Sequence, residues 1–294
     1  LSEPLRQRVV FRVFWAVQHA AAGLPERIGV PLFQTVAKIA YRTMPTVRAV
    51  VAANQAQVLG RAPDDPVVLA ATREAFVRYG RYWYEGFHVV ALSPAEVLRR
   101  FRCEGKFHMD DAIANGTGVI LALPHMGNWD VAGRWVHCLG LPIVSVAERL
   151  QPERLFRLFE RHRRALGLEI LPLDTGSGTG RALAQALKDD KVVALVADRD
   201  LAGSGVEVEM FGKIRRLPAG PAALALRTGA PLVPCAVYSE PGGWLCVMRE
   251  PIHMRPTGDR RADVTAITQA LAKEFEALIS VEPADWHVFQ PGWA

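Results

Sequence analysis

Apolar positions recur at helical spacing through the first hundred residues, then give way to short apolar runs separated by amphipathic stretches. Residues 5–22, 31–44, 46–59 and 66–87 each place hydrophobic side chains along one face, at a repeat of about 3.6 residues, and so predict four helices. Arg61-Ala-Pro-Asp-Asp-Pro66 breaks the pattern before the fourth helix, and Ser93-Pro-Ala-Glu96 has the form of a capping box that starts another.

From about residue 117 strands and helices alternate. Residues 118–124 form a short, wholly apolar run that predicts a buried strand, and a helix is expected over 129–139. Strands at 141–147, 169–173 and 191–197 are separated by a charged helix at 152–166 and a second helix at 181–189. Three further strands, at 206–211, 231–238 and 244–248, flank a helix that ends at Gly229, and an amphipathic helix at 264–279 closes the pattern. Continuous apolar strands between helices require a sheet covered on both faces. The predicted fold class is therefore α/β: a central, mostly parallel β-sheet covered by helices, with a helical N-terminal layer. One domain is expected over 1–294, with the helical layer at 1–100 and the α/β core at 101–294.

Composition narrows the function classes. Half of the 294 residues are hydrophobic, enough for a sizeable core. The longest apolar stretch, 9–23, is interrupted by Arg12, Gln18 and His19, whereas a transmembrane helix needs about 20 mostly apolar residues. No transmembrane helix is predicted. The net charge of +5, carried mainly by arginine, favours anionic partners: nucleic acid, acidic lipid headgroups or phosphate-bearing cofactors. Arginines crowd residues 149–164, and Lys213, Arg215 and Arg216 form a second group. Arg78 to Phe87 mixes arginine with aromatic rings, which suits a lipid–water interface and equally a helix packed on a domain edge. Cys103, Cys138, Cys235 and Cys246 form no C-x-x-C pair, so neither a zinc knuckle nor a dithiol redox site is expected, and reduced thiols are.

The sharpest chemistry lies in Leu123-Pro-His-Met-Gly-Asn-Trp-Asp130. His125 follows a buried strand, at the carboxyl edge where open α/β sheets bind ligands. Asn128 is a good N-cap for the next helix, which places Asp130 in its first turn. An imidazole and a carboxylate brought together there can take a proton from an alcohol, as acyl transfer to a hydroxyl requires. Other signals lead nowhere. Asp174-Thr-Gly-Ser177 has no second copy to complete an aspartic-protease pair. Gly176-Ser-Gly-Thr-Gly180 misses the dinucleotide-binding register, and neither a G-x-S-x-G elbow nor an H-E-x-x-H metal site occurs. No bound metal and no permanent cofactor are expected.

The same string resembles the glycerolipid acyltransferase superfamily with its H-x-x-x-x-D motif, and within it the branch of lipid A late acyltransferases and phosphatidylinositol mannoside acyltransferases. Val146-Ala-Glu-Arg-Leu150, Ala197-Asp-Arg-Asp-Leu201, Phe211 to Pro221 and Pro283-Ala-Asp-Trp-His-Val-Phe-Gln-Pro291 carry the resemblance further, chiefly from residue 100 onward and most closely to the mannoside branch. It implies acyl-CoA as donor and a phosphoinositide glycolipid as acceptor, with a mannose hydroxyl receiving the acyl group, usually palmitoyl. His125 would be the general base, and Asp130 either its orienting partner or a support one shell further out. Relatives often carry Glu where Asp198 stands, and that Glu pairs with the His. The shorter Asp198 is expected in the same pocket, without securing a direct bond. Glu148 and Arg163 match positions near the acceptor, Arg199 is placed to bind phosphate or brace the site, and Phe211, Gly212 and Arg216 match a block whose Arg contacts an anionic group. The resemblance further implies a peripheral protein on the cytoplasmic face of the plasma membrane, held by its N-terminal helices and basic patches, with no nucleic acid among its partners. A thioesterase on the same scaffold, a lipid A-type transferase and a non-catalytic binding module are the alternatives.

Overall fold

The computed structural model describes residues 4–173, 178–200, 203–253 and 255–293; the Asp174 to Ser177 string lies outside them. Four helices come first: α1 (Leu5–Gly23), α2 (Glu26–Thr43), α3 (Pro45–Leu59) and α4 (Pro66–His88). Asp65 caps α4 by accepting from the Val67 amide. The expectation for α2 was short by one turn and more: the helix begins directly behind Pro25, and Pro31 sits inside it, where the unpaired carbonyl it creates falls in the exposed first turns. α2 and α4 approach closely at Gly80, where a Cβ would stand 2.7 Å from the Phe33 carbonyl oxygen.

The core adds α5 (Pro94–Arg100), β1 (Phe101–Glu104), α6 (Phe107–Ala114), β2 (Val119–Leu123), α7 (Trp129–Cys138), β3 (Ile143–Ala147), α8 (Glu153–Ala165), β4 (Leu168–Pro172), α9 (Gly178–Lys188) and β5 (Val192–Val196). It continues with β6 (Val206–Met210), β7 (Lys213–Leu217), α10 (Gly220–Thr228), β8 (Leu232–Glu240), β9 (Gly243–Met248) and α11 (Arg260–Val281). Ser93 and Glu96 make the reciprocal capping box at the start of α5.

Seven strands form one sheet in the order β1-β9-β8-β2-β5-β3-β4. Every neighbouring pair is parallel except β8 with β9, so the sheet is mostly parallel, as the apolar runs required. β6 and β7 pair as a separate hairpin. Alternate side chains of the central strands feed two cores. Ile120, Val193 and Leu232 pack under α9, α10 and α11, while Val119, Leu121 and Ile143 pack under α7. β2 lies at the centre of the sheet, and the segment that follows it opens onto the carboxyl edge. Among the described residues no helix is long and apolar enough to cross a membrane.

Candidate active site

Two loops meet at the carboxyl edge because of strand register. β2 and β5 are adjacent and parallel, with Leu123 opposite Val196. His125 and Asp198 each lie two residues beyond those ends and so emerge at the same height. The Ala197 amide donates to the Leu123 carbonyl at 2.8 Å and carries the register one residue further. His125 Nδ1 and Asp198 Oδ1 stand 2.5 Å apart. This decides two points that the sequence leaves open. The short Asp198 side chain reaches the imidazole directly, and Asp130 is not the partner of His125.

Asp198 is fully buried and saturated with partners. Trp286 Nε1 donates to its other oxygen at 2.7 Å, and Arg215 donates to its backbone carbonyl at 2.8 and 3.3 Å. Burial alone would raise its pKa, but the His125 and Arg215 charges and the Trp286 bond prevail and hold the carboxyl well below the usual range. It is thus an anion at neutral pH, accepting from Nδ1 and leaving His125 Nε2 without a protein partner among the described residues.

Asp130 does sit in the first turn of α7, behind the Asn128 cap, whose side chain accepts from the Val131 amide. There it meets Arg163 of α8, with Nε to Oδ1 at 2.7 Å and Nη2 to Oδ2 at 3.4 Å, and the Tyr82 hydroxyl at 3.3 Å. Burial works against its ionisation, but the Arg163 pair overrides it and lowers the Asp130 pKa. Asn128 is buried and spends its amide on the Tyr82 carbonyl and Glu85, so it shapes the turn and lies off the cavity wall.

The turn between His125 and Asn128 is pinned to the chain's end. The Gly127 amide donates to the Asp285 carbonyl, and the His287 amide donates to the His125 carbonyl at 2.7 Å. Gly127 has φ +57, and a Cβ there would stand 2.1 Å from the Val237 carbonyl oxygen, so only glycine fits. Its amide is already engaged and is not free to stabilise an oxyanion.

His125 opens onto a cavity of about 950 Å³. Its polar lining includes Asp130, Glu148, Arg163, Arg199 and His287. Beneath α7 it continues as an apolar channel over Leu168, Ile143, Ala194, Leu121, Val237 and Met248. Those residues belong to β4, β3, β5, β2, β8 and β9, six neighbouring strands, about 24 Å across at ordinary spacing. Arg199 is braced by Gln290. No group of three potential metal ligands occurs among the described residues.

Besides Asn128, three more of the expected residues lie away from the cavity. Phe211 and Gly212, both with positive φ, form the turn of the β6–β7 hairpin, held by Gln57 and Glu276. Arg216 faces solvent and pairs with Glu207 at 2.7 Å, while its neighbour Arg215, 4% exposed, is the arginine that reaches the site. Alternation along β7 decides between them, and this charged strand carries no apolar signal that marks it as one. Trp286, His287 and Tyr82 also went unassigned, although Trp286 and His287 lie in a string already singled out.

The chain matches the family model described as bacterial lipid A biosynthesis acyltransferase over residues 5–294, so the likeness takes in the helical layer as well. A phosphatidylinositol mannoside acyltransferase of Mycolicibacterium smegmatis is 43% identical over 242 residues, covering 82% of this chain and 77% of the relative. A protein of the same description from Mycobacterium tuberculosis is 42% identical over 247 residues, with 82% and 75% covered.

Proposed function

Since the chain belongs to the bacterial lipid A biosynthesis acyltransferase family and is an acyltransferase, we propose that it moves a long acyl group, palmitoyl in the first instance, from acyl-CoA to a mannose hydroxyl of phosphatidylinositol mannoside. The observation that carries this reading is the His125–Asp198 pair at the mouth of an apolar channel. The acceptor rests on the likeness to the two mycobacterial relatives.

His125 Nε2 accepts the proton of the acceptor hydroxyl as its oxygen attacks the thioester carbonyl. Asp198 holds the Nδ1–H tautomer and stabilises the imidazolium that forms. Collapse of the tetrahedral intermediate breaks the C–S bond, and the imidazolium returns the proton to the departing CoA sulfur. The channel under α7 takes the alkyl chain, and its length and apolar lining suit a long one. Arg199, Arg227 and Arg260 on the cavity wall suit the phosphates of CoA. Asp130 fixes Arg163 beside the reacting centre, where the guanidinium favours developing negative charge. No serine or cysteine is hydrogen-bonded to His125 among the described residues, which favours direct transfer over an acyl-enzyme.

The same reading puts the protein on the cytoplasmic face of the plasma membrane as a peripheral enzyme. Leu5, Val9 and Val13 of α1 and Ile28, Leu32, Val36 and Ile39 of α2 are exposed at helical spacing. Arg6, Arg8, Arg12, Arg27 and Lys38 accompany them. Apolar stripes with cations alongside suit an anionic bilayer surface.

The test is thiol release from palmitoyl-CoA with and without the mannoside, in the wild type and His125→Ala. Acceptor-dependent release that the substitution abolishes is expected. Equal release without acceptor means hydrolysis, and release that survives the substitution overturns His125 as base.

A further inference from the structure

His287 is 5% exposed and lines the cavity, yet neither of its ring nitrogens has a hydrogen-bond partner among the described residues. The Gly127 backbone acts on the ring but falls short of hydrogen-bond geometry. Buried polar groups are nearly always paired, so an unpaired one facing a cavity asks for a partner that enters with a ligand. The ring is held in place on three sides. Its centroid lies 5.3 Å from that of Tyr79, 5.4 Å from Tyr82 and 6.4 Å from Trp129, and Trp129 in turn meets the His125 ring edge-on at 5.3 Å. The bond from the His287 amide to the His125 carbonyl fixes the spacing between the two histidines.

We infer that His287, walled by Tyr79, Tyr82 and Trp129, is the subsite that binds the sugar ring of the acceptor, its imidazole bonding a hydroxyl next to the one that attacks. The inference deepens the acceptor reading above and rests on it. A pyranose offers an apolar C–H face and a rim of hydroxyls, which match aromatic walls and one buried imidazole. An alkyl chain in this position leaves both nitrogens unpaired, and an uncharged imidazole gives a phosphate no counter-charge. Burial pushes the His287 pKa down to about 3, helped by the charges of His125 and Arg78, so the ring binds as the neutral form.

The experiment compares the wild type, His287→Phe and His287→Asn, with KM measured separately for the mannoside and for palmitoyl-CoA. His287→Phe keeps the ring and removes both nitrogens. It is expected to raise the mannoside KM at least tenfold, against a change below threefold in the palmitoyl-CoA KM. His287→Asn restores a donor and an acceptor and is expected to recover part of the loss. Equal changes in both constants, or an unmoved mannoside KM in a variant that melts cooperatively, overturn the inference. If His287→Phe does not fold, His287→Asn decides: an unmoved mannoside KM or matching changes in both constants count against the subsite, and a mannoside-selective rise supports it. A wild type that releases thiol from palmitoyl-CoA but does not acylate the mannoside overturns the acceptor reading, and the sugar subsite with it.

Discussion

His125 depends on Asp198 for both its tautomer and its charge, so Asp198→Asn tests the pair without changing volume. It is expected to lower kcat by about 10²–10⁴-fold, the usual contribution of a positioned base. Asp130→Asn leaves the His125 bond intact but removes the charge that holds Arg163, so both kcat and thermal stability at neutral pH should fall. His287 makes a different claim, on stability against pH. The unfolded chain takes up a proton below about pH 6.5, whereas the folded ring resists protonation down to about 3. Its contribution is therefore whole above pH 6.5 and shrinks by about 1.4 kcal/mol per pH unit below it. Urea unfolding at pH 7 and pH 5 should show the wild type losing roughly 2 kcal/mol more than His287→Phe; equal losses contradict a neutral buried ring. At this scale the motif disclosed His125 and Asp130, and the Ala-Asp-Arg-Asp string disclosed Asp198. The direct bond between His125 and Asp198 stayed open, because it depends on Leu123 facing Val196 across two strands that 68 intervening residues separate in the chain.

Arg215 and Arg216 show how an element decides what a residue does. β7 turns Arg215 inward, over Trp286 and Trp293 with ring centroids 5.1 and 4.9 Å from its guanidinium carbon, and turns Arg216 out to a surface pair with Glu207. Arg215→Ala strips the Asp198 and Gly292 carbonyls of their donor in a buried setting and is expected to cost about 2–4 kcal/mol. Arg216→Ala should stay within about 0.5 kcal/mol. Chemical denaturation of the two variants separates these outcomes, and a reversed order contradicts the inward register of β7. Both arginines read alike in the sequence, since hydrophobic alternation is the signal of a strand and Lys213-Ile-Arg-Arg-Leu217 barely carries it. β1 and α6 escaped for related reasons: β1 is a four-residue edge strand with polar positions, and α6 spans only two turns. The long apolar strands and the capped helices α4, α5 and α7 were legible because their signals are local.

At the scale of the whole molecule, α1 and α2 each expose apolar residues at helical spacing, with cations beside them in the sequence. A surface that exists to meet a bilayer has to lose binding, but not stability, when its apolar residues become charged. Leu32→Glu with Val36→Glu adds two carboxylates to exposed positions of α2, so the melting temperature should barely move. Sedimentation with vesicles containing acidic phospholipid should fall by an order of magnitude or more, since each substitution removes apolar contact and adds charge of the wrong sign. Salt gives an independent axis. Contacts between exposed cations and acidic headgroups weaken as the screening length shrinks, so binding of the wild type should drop between about 0.1 M and 1 M salt but not vanish. Neutral vesicles should bind less than acidic ones, with little response to salt. A double variant that still sediments with acidic vesicles at the wild-type level moves the membrane face elsewhere, and the basic α8 helix, with Arg157, Arg161 and Arg164, is the next surface to charge-reverse.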